Sequence, residues 1–182
     1  MLISASFFDL EAWWGHVIEA ALVNSVGEVV FHSYVRPQII PHSYWLKNKG
    51  IGLNDLLQAS PWGEVVSELQ VLMRERHVVF HKKEHDLSFF PNVAKAQWTS
   101  HCSMERFAPY VGPWRFDYGT YPFKGLPEIM QSFGWRYADP GAHRAIPDCL
   151  AARRLWQWLD NNPLPTIELP GEIGSINQAV WS

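Results

Sequence analysis

The chain is short of cysteine, short of charge and free of long apolar runs, and each shortage excludes something. Two cysteines, Cys102 and Cys149, build no disulfide framework and fit a reducing compartment. No apolar run approaches the roughly 20 residues that span a bilayer. The first apolar run meets Asp9 early and has no basic segment ahead of it, unlike a signal peptide. These features lead us to expect a soluble intracellular protein, cytoplasmic and without membrane contact. Charged residues make up only 18% and the net charge is −3, which argues against coating nucleic acid over a long footprint. An enzyme that grips a few nucleotides and neutralises their phosphates with metal ions stays open. No internal repeat and no low-complexity segment interrupts the chain.

What is present is enough for one compact domain. A chain of 182 residues, 47% of them hydrophobic, can bury a sizeable core. Ten tryptophans are a heavy load at this length; most suit the core, and any left exposed suit stacking on flat ligands.

The stretch Ser4 to Glu11 reads as a buried strand with charge at its tip. Side chains alternate along a strand, so Asp9 and Glu11 project to one face. Residues 16–24 and 28–35 read as an antiparallel hairpin turning at Ser25-Val26-Gly27. Residues 36–52, with two prolines and two glycines, read as loop, and 53–58 as a short helix. Ser60-Pro61 opens a helix with Ser as cap and Pro in the first helical position. Trp62, Val65, Val66, Leu69, Leu72 and Met73 keep the three-four spacing of its buried face. A strand over 77–81, a helix over 84–90, a strand over 97–101 and a helix over 103–107 follow. Residues 109–124 read as an ordered aromatic loop, and helices follow over 126–133 and 146–160. The order suggests a mixed sheet flanked by helices in an α/β domain over 1–160, with a Pro- and Gly-containing tail over 161–182.

Four carboxylates fall at element ends: Asp9, Glu11, Asp86 and Asp148. Close carboxylates repel and are costly to desolvate, so they tend to share a cation, and hard divalent ions prefer such oxygen donors. Two such ions can clamp the attacking and leaving oxygens of a phosphodiester. His143 lies five positions before Asp148, about 140° away on a regular helix of about 3.6 residues per turn. If Pro147 marks the helix start, His143 instead sits in the preceding loop, able to swing over Asp148 and accept a proton from water. Taken singly, each of these residues also has a bland reading, as a solvated strand end, a helix-dipole carboxylate or a loop histidine.

These residues stand in three ordered motifs: Asp9-Leu10-Glu11, His81 to Asp86 (HKKEHD) and His143 to Asp148 (HRAIPD). In this the chain resembles the DnaQ-like (DEDDh) 3′–5′ exonuclease family, of ribonuclease H-like fold. Softer similarity lies at Val17 to Ala21, Val35-Arg36-Pro37, Gly50-Ile51 and Lys124 to Ile129, so the resemblance spans about residues 1–160. It implies a mixed five-stranded sheet in which an antiparallel hairpin follows the first strand. It also implies two Mg²⁺ (or Mn²⁺) ions, one held by Asp9, Glu11 and Asp148, the other by Asp9 and Asp86, with His143 as general base. The implied activity is 3′–5′ hydrolysis of DNA, at single strands or 3′ ends, releasing nucleoside 5′-monophosphates. The implied partner is a nucleic-acid 3′ end a few nucleotides long; a homodimer or a polymerase or other protein partner stays open. Leu10, Ala12, Trp13, Trp14, His81 and Lys82 are the candidate substrate contacts.

The chain departs from the family where Ala12-Trp13-Trp14-Gly15 replaces the usual Thr-Thr-Gly, and where Lys82 and His85 replace Asn and Phe. These changes bear on substrate preference and leave the four carboxylates and His143 intact. An exoribonuclease or oligoribonuclease acting on RNA ends is one alternative. A non-catalytic nucleic-acid- or protein-binding module is another, suggested by the tryptophans and the Pro-rich tail. His77, His81 and His85 stand at four-residue steps, but the break at His81 and the lack of a Cys cluster argue against a zinc site.

Overall fold

The structure, a computed structural model, describes residues 5–92, 97–137 and 144–164. Three strands open it: β1 (Ala5–Trp13), β2 (His16–Val23) and β3 (Val29–Tyr34). β1 turns into β2 through Trp14 and Gly15, both left-handed at φ 48° and 78°, as in the tight turns that suit hairpin twist. The β2–β3 turn is closed by the Asn24 side chain, whose oxygen accepts from the Val26 and Glu28 N–H groups at 3.1 and 2.9 Å. Helices α1 (Ser43–Lys49), α2 (Leu53–Gln58) and α3 (Trp62–Met73) lead to β4 (His77–Phe80). After it come α4 (Lys83–Leu87), β5 (Thr99–Cys102), α5 (Ser103–Val111), α6 (Leu126–Ser132) and α7 (Ala145–Asn161).

The five strands form one mixed sheet in the order β3-β2-β1-β4-β5. β1 lies at its centre, antiparallel to β2 and parallel to β4, so the expected sheet with its early hairpin is present. Alternation along β1 then divides the core. Phe7 meets Cys149, Ala152, Leu155 and Leu159 of α7 on one face, and Phe8 and Leu10 meet Val65, Val66, Leu69 and Met73 of α3 on the other. Asp9 and Glu11 share the parity of Phe7 and point to the α7 side.

Four local expectations need correction. Residues 43–49, expected as loop, form α1: the His42 ring accepts from the Trp45 N–H at 3.1 Å, and Gly50 ends the helix at φ 63°. The residues that read as loop are its start and stop. α3 begins one residue late, with Pro61 as cap, because the Arg36 N–H donates to the Ser60 carbonyl and holds 60–61 extended. α4 stops at Leu87, short of the expected Phe90, in a turn where the Ser88 and Phe89 N–H groups donate back to Glu84 and Asp86 carbonyls. α5 runs through Pro109 to Val111, past the predicted end at Phe107. From residue 165 onward the expected tail lies outside the described residues. Among the described residues no helix is long and apolar enough to cross a membrane.

The tightest test of the α7 packing is Leu155, which is fully buried. Leu155→Ala is expected to lower stability by about 2–5 kcal/mol in urea unfolding, the usual cost of such a cavity.

Candidate active site

The β1–β4 pairing ends at Phe7 and Val79, so Asp9 and Glu11 emerge beyond it, at the carboxyl ends of two parallel strands. Crevices at this edge are the usual ligand sites of α/β sheets. Asp148 reaches the same place from the first turn of α7, where its N–H donates to the Arg144 carbonyl at 3.1 Å. Pro147 stands among the first residues of that helix, where a missing N–H costs nothing. One oxygen each from Asp9, Glu11 and Asp148 lies within 4.8 Å of the others. Asp86 comes in from α4 and is 3% exposed. All four border one cleft of about 230 Å³, closed opposite by Gly125, Leu126 and Pro127.

Burial, then the neighbouring carboxylates Asp148 and Asp86, raises Asp9 well above the ordinary range. Burial lifts Asp86 to about 7, against the pull of His85, whose Nδ1 lies 3.1 Å from Asp86 Oδ1. Burial lifts Asp148 to about 7 as well, against the hydrogen bond donated by the Tyr137 hydroxyl. Asp9 Oδ2 and Asp86 Oδ2 are buried and find no hydrogen-bond partner among the described residues. An unpartnered buried carboxylate oxygen is expensive, and a hard cation relieves the cost at both. The donor set therefore fits divalent metal ions: an acidic metal-binding cluster.

Two cations already stand near it. The Lys49 ammonium, from the end of α1, lies 2.9 Å from Glu11 Oε2. Arg144, the cap of α7, reaches the buried Glu19 of β2, Nε to Oε2 at 2.8 Å and Nη2 to Oε1 at 2.9 Å. Glu19 is deeply buried, which alone would raise its carboxyl, yet hydrogen bonds from His32 and Arg144 bring it down to about 2.

The candidate substrate contacts sort unevenly. Leu10 turns its side chain to the α3 core and only borders the cleft. Ala12 lines the cleft, and exposed Lys82 caps α4 at its rim. Trp13 is packed against Trp45 and His42, with ring centroids 4.9 Å away in each case, while Trp14 is 78% exposed beside it. His81 is buried: its Nε2 donates to the Lys124 carbonyl at 3.3 Å, and Nδ1 then accepts from the Ser103 hydroxyl at 3.0 Å. Burial holds that ring down at about 4, so it is neutral at pH 7. His143, the expected general base, lies outside the described residues. The zinc pattern is not assembled: His77 pairs with His101 at 2.9 Å, while His81 and His85 have the other partners just described. Sequence reasoning missed Lys49, Tyr137 and Arg144 as neighbours of the site; nothing local in the sequence marks the first two.

Fold and site together define a metal-binding nuclease of ribonuclease H-like architecture. An exonuclease family model, RNase_T, matches residues 15–155, more than half of the chain, and the protein belongs to that family. The match begins just past Asp9 and Glu11, so it is the structure that brings these two to Asp148. Exonuclease X in complex with 5′-overhanging duplex DNA is similar over 87% of this chain and 92% of its own, at 17% identity and TM-score 0.61. A 3′-exonuclease recognising a histone mRNA stem-loop is similar over 88% and 84%, at 17% and 0.62. The nuclease domain of 3′hExo, a DEDDh family member bound to rAMP, is similar over 86% and 91%, at 16% and 0.58. No curated protein matches. The chain is thus a nuclease hydrolase that acts on nucleic-acid ends.

The carboxyls of Asp86 and Asp148 bind protons more tightly folded than unfolded, where they titrate near 4. Folding therefore retains protons between about pH 4 and 7, and the stability of the metal-free protein falls as pH rises through that window. Metal ions displace those protons, so the rise in Tm on adding Mg²⁺ should be larger at about pH 8 than at about pH 5.5. A rise of equal size at both would contradict the site. Asp9→Asn should stabilise the metal-free protein at about pH 8, because it removes one charge from a buried, mutually repelling cluster, and shrink the metal-induced rise in Tm.

Proposed function

We propose that the chain is a two-metal 3′–5′ exonuclease of the DEDDh type, hydrolysing DNA at single strands or 3′ ends and releasing nucleoside 5′-monophosphates. The observation that carries this reading is the convergence of Asp9, Glu11 and Asp148 beside the orphaned oxygens of Asp9 and Asp86. Asp9, Glu11 and Asp148 would hold the nucleophile-side ion, Asp9 and Asp86 the second, with Mg²⁺ or Mn²⁺ as the metal. Ions held there would supply charge to polarise the phosphate and to make water a better nucleophile. His143 takes the proton from that water, a role closed to His81, whose two ring nitrogens are both engaged. Lys82 at the rim meets a backbone phosphate, and Ala12 borders the terminal nucleotide. Trp14 offers an exposed ring to a base, held in place by Trp13 at 6.1 Å. A bulky residue at positive φ is strained, and such strain gathers at ligand sites. The two buried, unpaired cysteines agree with work in the cytoplasm. The similarity to nucleases captured with histone mRNA and rAMP supports a second reading, RNA ends as substrate.

A degradation ladder separates these readings. The substrates are 5′-labelled single-stranded DNA, duplex DNA with a 3′ overhang, and RNA of matched sequence, each with Mg²⁺ or EDTA. Metal-dependent shortening from the 3′ end, abolished by Asp9→Ala or Asp148→Ala, is expected, and the preferred polymer names the substrate. Binding without any shortening would favour the non-catalytic module. His143→Ala should lower kcat by about 10²–10⁴-fold and keep the metal-induced rise in Tm; full activity near neutral pH would remove His143 as the base.

A further inference from the structure

We infer that Lys49 is a resident counter-cation of the carboxylate site, which competes with a divalent ion for Glu11. The inference rests on the metal-site reading above. The Lys49 ammonium lies 2.9 Å from Glu11 Oε2, and the two side chains are only 11% and 12% exposed, so water screens the pair little. Its position is held from several sides. Gly50, left-handed at φ 63°, ends α1 directly after Lys49. The Lys49 carbonyl accepts from Arg144 Nη1 at 3.1 Å, and Arg144 is itself held by Glu19 and by the Tyr34 hydroxyl at 2.7 Å. Trp45 lies beneath the ammonium, its ring centroid 5.5 Å away.

Strand register supplies the reason for two such cations. Glu11 and Glu19 stand directly opposite each other on β1 and β2, where like charges destabilise a pair. Arg144 answers Glu19 and Lys49 answers Glu11. Glu19 is closed off by Arg144, His32 and the Ala145 N–H at 3.3 Å, and does not belong to the metal-binding group. Glu11 does belong to it, so its counter-ion shares the carboxylate with whatever cation the cluster takes. In the metal-free protein the ammonium offsets repulsion among Asp9, Glu11 and Asp148. Once a divalent ion binds, the same ammonium repels it and weakens its affinity.

The test uses the full chain, with Mn²⁺ itself as the probe in an equilibrium titration, for the wild type, Lys49→Met and Lys49→Arg. Met keeps the apolar stem on Trp45 and removes the charge. Lys49→Met is expected to bind Mn²⁺ about three- to tenfold more tightly and to melt lower without metal, while Lys49→Arg follows the wild type. Unchanged or weaker Mn²⁺ binding by Lys49→Met, with the wild type binding normally, would overturn the lysine inference alone. Absence of Mn²⁺ binding by the wild type would overturn the metal reading and the lysine inference together.

Discussion

Carboxylates forced together at the carboxyl ends of β1 and β4 are the constraint on which the rest of the structure depends. Burial and neighbouring carboxylates favour the protonated forms of Asp9, Asp86 and Asp148, and two of these residues' oxygens have no hydrogen-bond donor among the described residues. A fold assembled only for stability would place apolar side chains there. This one spends core packing to hold charge in place: α7 buries its Leu and Ala face against β1 and β2, and so fixes Asp148 over Asp9. The strain at the site and the packing behind it are two sides of one helix.

The Glu19–Arg144 pair shows how the chain manages the charge it must bury. Glu19 sits between apolar neighbours in β2 at 1% exposure, and its carboxylate gathers His32, Arg144 and the Ala145 N–H. That ties β3, β2 and the start of α7 together four residues before Asp148. Arg144 also reaches the end of α1, so the ion pair links the second strand to the helix whose Lys49 meets Glu11 and to the helix that carries Asp148.

Much of this was legible in the sequence, for particular reasons. Asp9, Glu11, Asp86 and Asp148 each had a bland reading alone and stood out only together, as four carboxylates at element ends within three ordered motifs. The early hairpin followed from two apolar, strand-like runs joined by a short turn, and the five-stranded form from the family resemblance; β2 itself is buried almost throughout and carries no alternation. α1 was hidden because a seven-residue helix is too short to show periodicity, and the prolines and glycines around it read as loop. Lys49 and Tyr137 were not legible, because only tertiary contact brings them to Glu11 and Asp148, across 38 and 11 residues respectively. Glu19 did carry a signal, a lone acid in a buried strand, but its partner Arg144 lay 125 residues away.

The most direct measurement is anomalous diffraction from crystals grown with Mn²⁺. Two peaks are expected, one among Asp9, Glu11 and Asp148 and one between Asp9 and Asp86. Peaks elsewhere, or none in a crystal whose carboxylate side chains are ordered, would contradict a two-metal site.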